Sequence, residues 1–369
     1  MVDNVPFTDI YLDDEMVDDV ADVLRSGRHV KGPVVERFEN EFAAATGVEH
    51  AVGVSNGTAS LLLAMKALGI KGGNEVFAPA HTYFATVSPA LELGADLTFV
   101  DVDEQRYTMD PELLRDAVAA SDDPAAIAVT HMHGQPADMD PIMTVADEFD
   151  IPVIEDAAQA HLATYGDDIV GSIGDVGCFS FYPTKNMTVG GDGGMITTDD
   201  AEIATQLRAL RNHGRNDTGE HVELGLNYRL DETNGAIWLR QLEHLPEWSE
   251  DRRRVARAYD ERLKEIDSIV IPYAPADSTH VYHHYAVQVP AGERAAFRAF
   301  LDERGVDTDI HYDQVVHEQP AVRDRVSEVS APVAESYCAR TVSLPMHPRL
   351  TDAEIDYVVE TIAAYEERA

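Results

Sequence analysis

Residues 177–198 read GCFSFYPTKNMTVGGDGGMITT: two short apolar runs, GCFSFY (177–182) and GGMITT (193–198), joined by a turn-rich segment in which Lys185 is the one cation. Neither run alternates polar with apolar residues, which is the pattern of strands buried on both faces. Five similar runs precede them: AVGVS (51–55), EVFAP (75–79), LTFVDV (97–102), AIAVTH (126–131) and PVIEDA (152–157). Helical patterns at 59–68, 88–93, 111–119 and 141–149 separate most of these runs. Two further helices are expected before the first run, at 13–25, where Met16, Val17, Val20, Val23 and Leu24 share helical spacing, and at 34–46. This order predicts an α/β protein with a mostly parallel sheet of about seven strands between helices.

Near Leu242 the composition turns charged and Arg-rich, and EWSEDRRRVARAYDERLKEI (247–266) reads as a helix leading out of the large domain. After it come a strand candidate, HHYAVQVP (283–290), a helix, AFRAFLDERG (296–305), a short strand, VDTDIH (306–311), and a closing helix, DAEIDYVVETIAAYEE (352–367). The expected division is therefore residues 1–245, an N-terminal arm and the large domain, and residues 246–369, a smaller C-terminal α/β domain.

With 369 residues, 44% of them hydrophobic, the chain can bury a large core. Its 67 acidic and 28 basic residues give a net charge of −39, which repels phosphate backbones and anionic lipid headgroups, so nucleic-acid and membrane-surface roles are not expected. Five lysines against 23 arginines under that acidity fit a protein adapted to high salt, where screening makes self-repulsion tolerable. Cys178 and Cys338 form neither a disulfide framework nor a CxxC pair. The start, MVDNVPFTDIYLDDE, lacks a basic region before an apolar stretch, and no run is long enough to span a membrane, so a cytoplasmic protein is expected.

In parallel α/β sheets ligands lie beyond the carboxyl ends of the strands. After AVGVS comes Asn56-Gly57-Thr58-Ala59-Ser60 at a helix start, where free N–H groups and a positive helix end suit an anion. The same residues suit an ordinary cap by Asn56 or Thr58 equally well. The G-x-G-x-x-G spacing of a dinucleotide site is absent. PVIEDA ends in Asp156, with Gln159 one turn on; its apolar and small neighbours predict a buried carboxylate that needs a cationic partner. The next strand supplies that cation in Lys185, which lies between an aromatic strand and a glycine-rich turn and is placed to lose hydration and become a better nucleophile. A buried Asp able to hold a pyridinium N–H, a lysine able to form a Schiff base and an anion cradle are the parts of a pyridoxal phosphate site. His131 and His133 alternate on an expected strand but lack a third ligand at matching spacing, so a structural or pocket role is expected and no metal. His283 and His284, as strand neighbours, are expected on opposite faces. Cys178 reads as packed core.

The stretches VSNGTASLLLAMKALGI, PAHTYFAT, HGQPADMDPI, VIEDAAQAH, GSIGDVGCFSFYPTKN, GGDGGMITT, LRNHGR, GLNYRLDE and SLPMHPRLTDAEIDYVVETI resemble the DegT/DnrJ/StrS-type family of pyridoxal phosphate sugar aminotransferases, from about Pro6 to Tyr365. The resemblance implies a fold type I enzyme that moves an amino group from glutamate to a nucleotide-linked keto sugar through a pyridoxamine phosphate form, as in aminosugar and surface-glycan biosynthesis. It implies Lys185 as the Schiff-base lysine, Asp156 as the carboxylate on the pyridine nitrogen and Gln159 as the neighbour of the ring hydroxyl. Thr58, Ala59 and Ser180 match phosphate ligands, and Tyr83 matches the aromatic that stacks on the ring. Asn227 is similar to the residue that reaches the partner subunit's cofactor, which implies a homodimer with shared sites; Arg229, His311, Tyr312 and His317 fall where sugar-nucleotide contacts are common. Departures are Leu162 for a usual glycine, Asn74 for an aspartate and His133 for a tyrosine often found before Gly134. Two rival activities within the resemblance are a sugar dehydratase, whose branch carries histidine at the place of Lys185, and a non-catalytic regulator that binds the cofactor.

Overall fold

A computed structural model describes every residue except Met1, Asp3, Val189 and Ala369, so the outermost residues of both expected domain ranges lie outside the description. Seven strands form the central sheet: β1 His50–Val54, β2 Glu75–Pro79, β3 Asp96–Val100, β4 Pro124–Thr130, β5 Val153–Asp156, β6 Val176–Ser180 and β7 Gly194–Thr198. Their order is β1-β7-β6-β5-β4-β2-β3. Pairing is parallel from β6 through β5, β4 and β2 to β3, whereas β7 runs antiparallel to both neighbours. Thr130 pairs with Asp156 and Asp156 with Cys178, so the carboxyl ends of β4, β5 and β6 are level.

The continuous apolar runs are explained by two cores. Ala126, Ala128, Val76 and Ala78 pack on one face with Leu61, Leu63 and Met65 of α3 (Gly57–Ala67), while Ile127, Val129 and Val153 pack on the other with Leu114 of α5 (Pro111–Ala119) and Ile142 and Val145 of α6 (Met139–Phe149). Successive residues of one strand face opposite ways, and here both ways are buried. A third core joins Phe38 and Phe42 of α2 (Pro33–Thr46), after α1 (Asp14–Ser26), to Phe179, Phe181 and Trp238.

Helix α8, Glu232–Leu263, runs through the expected boundary at residues 245 and 246 with Pro246 inside it. Its second half, with Val255, Tyr259 and Leu263, enters a separate C-terminal core with Tyr285, Val287, Phe297, Val342, Leu344 and Ile355, and Val5 of the N-terminal arm packs there too. In that region Tyr285–Gln288 (β8) pairs antiparallel with Thr341–Leu344 (β9), flanked by α9 (Arg294–Asp302) and α11 (Asp352–Glu366). The expected strand at 306–311 is absent. Val306 pairs with Val5 and Asp309 with Ser343 as isolated bridges, so no successive residues share one partner. Two further helices, Ala201–Leu210 and Pro332–Arg340, have no counterpart in the reading of the sequence. Among the described residues no helix is long and apolar enough to cross a membrane.

Candidate active site

Asp156 closes β5 and is buried. Its Oδ2 accepts from Thr86 Oγ1 at 2.7 Å and its Oδ1 from the Ala158 N–H at 3.1 Å. Thr86 has a single proton and a carboxylate oxygen only accepts, so that proton is committed to Asp156. Thr82 Oγ1, 2.6 Å away, must then donate to Thr86, and Thr130 Oγ1, 2.9 Å beyond, to Thr82. Three hydroxyl dipoles thus point at the carboxylate, and such chains reinforce one another. Burial raises the Asp156 pKa, while Thr86, the Ala158 amide and the charge of Lys185 oppose the rise. Sequence reading missed Thr82, Thr86 and Thr130, although two of them flank Tyr83 in PAHTYFAT.

Lys185 follows β6 in a turn in which its N–H donates to the Tyr182 carbonyl at 2.8 Å. The side chain is half-buried, and loss of hydration lowers its pKa to about 8 against a smaller pull upward from Asp156. The ion pair expected between Lys185 and Asp156 is not formed: among the described residues the ammonium has no hydrogen bond or salt bridge, and Asp156 has no cation bonded to it. An amine poised near neutrality and a buried carboxylate with only neutral donors leave room for a cationic ring N–H.

Beside them lies the helix start. Asn56 caps α3 by accepting the Ala59 N–H at 2.8 Å, so this expected phosphate donor is already engaged. Thr58 is exposed, and its N–H and that of Gly57 carry no hydrogen bond among the described residues. The turn sits tightly on β6: a Cβ on Gly57 would lie 2.6 Å from Ser180 Cβ. The cap reading holds for Asn56, and among the described residues the first-turn N–H groups without a partner are those of Gly57 and Thr58.

Gln159 is buried with Oε1 accepting the His133 N–H at 2.7 Å and Nε2 donating to Tyr312 Oη at 3.2 Å. Tyr83 is exposed with its ring centroid 5.5 Å from that of Tyr312. His311 stacks on His284 at 3.6 Å and bonds Ser343 through Nδ1 at 3.0 Å. His317 does not join this group: it is buried against Phe99, 5.7 Å between rings, and 4.0 Å from Glu335, its 3-10 turn being tied to the end of β2 by the Val316 N–H donating to the Ala80 carbonyl at 3.0 Å. Asn227 and Arg229 also lie apart from Lys185. Their segment bridges to Asn212 and Val54, Asn227 is exposed, and Arg229 donates to Asn212 Oδ1 at 2.9 Å.

The histidines depart from their expected places. β4 stops at Thr130, so His131 and His133 are not on a strand. His131 accepts the Ala137 N–H at Nδ1, which puts its proton on Nε2, 2.9 Å from Glu155. His283 and His284 precede β8, so strand alternation does not apply, and their ring centroids are 3.9 Å apart. Burial holds His161 at a pKa of about 3 and His81 and His311 at about 4, so these imidazoles are neutral. Among the described residues no group of three or more His, Cys, Asp or Glu could hold a metal ion.

The chain is 37% identical over 98% of its length, and 98% of the relative, to a pleiotropic regulatory protein of Geobacillus stearothermophilus. It is 39% identical to the dTDP-3-amino-3,4,6-trideoxy-alpha-D-glucose transaminase of Streptomyces venezuelae, covering 95% of this chain and 91% of that one. The crystal structure of S. venezuelae DesV in complex with a ketimine intermediate superposes with a TM-score of 0.95 at 38% identity over the whole of both chains. A family model matches residues 11–363, nearly the whole chain, and so this chain belongs to the DegT/DnrJ/EryC1/StrS aminotransferase family.

Proposed function

We propose that the protein is a pyridoxal phosphate-dependent aminotransferase that passes an amino group from glutamate to the keto group of a nucleotide-linked sugar. The observation that carries this reading is the pairing of a buried carboxylate that lacks a cation, Asp156, with a nearby half-buried amine that lacks an anion, Lys185, at the level ends of β5 and β6. Pyridoxal phosphate, when bound, supplies an electron sink conjugated to the substrate nitrogen. The residues fit it. Asp156, fixed by the threonine chain, would keep a proton on the ring nitrogen; the first turn of α3 with Ser180 would hold the phosphate; Tyr83 would cover the ring, and Gln159 would face its hydroxyl. Lys185 Nζ, with a depressed pKa, would hold the aldehyde carbon and, once free, carry a proton to and from the reacting carbon.

The transaminase and the crystal structure above support the substrate class, and membership of an aminotransferase family supports the chemistry. The dehydratase alternative is disfavoured by lysine at position 185. The regulator alternative is in keeping with the name of the Geobacillus relative, and the retained lysine and carboxylate weigh against it. We further read the protein as a cytoplasmic homodimer with shared sites. Support comes from Val222, Leu224 and Leu226, exposed in a row, Leu224 at 90%, directly before Asn227; such a patch on so acidic a chain calls for cover. In a dimer Asn227 would reach the partner's cofactor phosphate, with Arg229 beside the sugar nucleotide and His311 and Tyr312 lining the cleft. The charge of −39 and the dearth of lysine support adaptation to high salt. Incubation with pyridoxal phosphate, isotope-labelled glutamate and a set of UDP- and dTDP-linked keto sugars, read by mass spectrometry, tests the activity. Label appearing in an amino sugar nucleotide is the expected outcome. Cofactor binding with no transfer to any of the set would favour the regulator.

A further inference from the structure

The turn after β4 carries His133, which the cofactor and substrate assignments leave unused. Its backbone is left-handed, φ +60°, and Gly134 follows at φ +90°. A residue other than glycine is kept in that region by its surroundings. Here four polar contacts grip it. Its N–H donates to Gln159 Oε1 at 2.7 Å, its carbonyl accepts the His284 N–H at 3.2 Å, its Nδ1 lies 3.2 Å from His284 Nδ1, and its Nε2 lies 2.9 Å from Tyr337 Oη. The turn is also closely packed, since a Cβ on Gly134 would sit 3.0 Å from both the Gln159 carbonyl and the His283 nitrogen. Burial keeps the ring neutral, and a neutral imidazole offers one N–H and one lone pair, matching its two partners on opposite edges. A tyrosine at this position has one polar side-chain atom and cannot bridge both.

We propose that His133 is a positioning residue: its imidazole, pinned between Tyr337 and His284, holds the turn whose N–H fixes the Gln159 carboxamide. A backbone N–H only donates, so it forces Oε1 of Gln159 to its own side. The amide nitrogen is thereby left as the donor facing Tyr312 and the hydroxyl side of the cofactor ring; reversing the amide would set two donors against each other. The inference rests on the pyridoxal phosphate reading.

The test uses the holoenzyme and the visible absorbance of the lysine-bound cofactor, whose pH midpoint reports donors at the ring oxygen. Gln159→Ala is expected to move that midpoint by roughly half a unit, the weight of one hydrogen bond. Tyr337→Phe and His133→Phe are expected to move it in the same direction, and combining either with Gln159→Ala is expected to add nothing further. If His133→Phe does not fold, His133→Asn, which tolerates the left-handed region, is read in the same way. A midpoint that moves in Gln159→Ala and stays at the wild-type value in Tyr337→Phe and the His133 variants overturns the inference, as do shifts that simply add. A midpoint unmoved in Gln159→Ala itself overturns instead the placing of Gln159 at the cofactor.

Discussion

Burial acts in opposite directions on the two central residues, raising the Asp156 pKa and lowering that of Lys185, since both charged forms lose hydration. For Lys185 the sign has a kinetic consequence. Below about pH 8 the amine is protonated and has no lone pair; above it the neutral nucleophile predominates. Cofactor uptake by the cofactor-free protein should therefore accelerate as pH rises through about 8 and then level off, followed as growth of visible absorbance; a flat profile across that range would contradict the assignment. Asp156→Asn should still bind cofactor but lose about 3 kcal/mol of support for the protonated ring, roughly a hundredfold in kcat. Wild-type turnover in that variant would remove Asp156 from its role. Both residues were legible because charge at the end of an apolar run is costly without a reason. The threonine chain was not, and for His133 only a structural or pocket role could be read, because residues from separate strand ends acquire their partners only when the sheet brings them together.

At the scale of elements, two close fits hold the site. Gly57 lets the first turn of α3 approach β6, and Gly57→Ala should force that turn away from Ser180 at a cost of about 1–3 kcal/mol, seen as weaker cofactor binding by equilibrium titration. Unchanged affinity would mean the turn does not hold the phosphate. Glu155 ties the loop before β6 to β5, accepting the N–H groups of Gly171, Ile173 and Gly174 at 2.7–2.8 Å. Glu155→Ala strands these three donors and the buried His131 Nε2–H, and should lower stability by about 3 kcal/mol or more in urea unfolding. All seven strands could be read from their continuous apolar runs, because all but the edge strand β3, where Asp96 is exposed and Thr98 half-buried, are buried on both faces. The reversed direction of β7 leaves no mark in such a run. β9 was missed because the alternation of its four residues, TVSL, is too short a run to stand out, and the first half of α8 was missed because Pro246 interrupts the pattern.

For the whole molecule, charge and assembly govern behaviour. Raising salt from 0.1 M to 1 M shortens the screening length from about 10 Å to about 3 Å, and the protein should gain stability and activity across that range; full function in low salt would contradict the reading of its acidity. The dimer is legible only through the likeness of the Asn227 segment to the family, since neither charge nor an exposed leucine specifies a second copy. Mixing inactive Lys185→Ala with an inactive Asn227 and Arg229 double variant under subunit exchange should restore activity if sites are shared, since one site of each mixed dimer then carries neither defect; no recovery despite exchange would contradict sharing. The central claim is tested most directly by the absorbance of the purified, cofactor-loaded protein: glutamate should bleach the visible band, a nucleotide-linked keto sugar should restore it, and Lys185→Ala should lack the band altogether. A protein that keeps its band in glutamate, or a Lys185→Ala variant that remains yellow and active, would contradict the account.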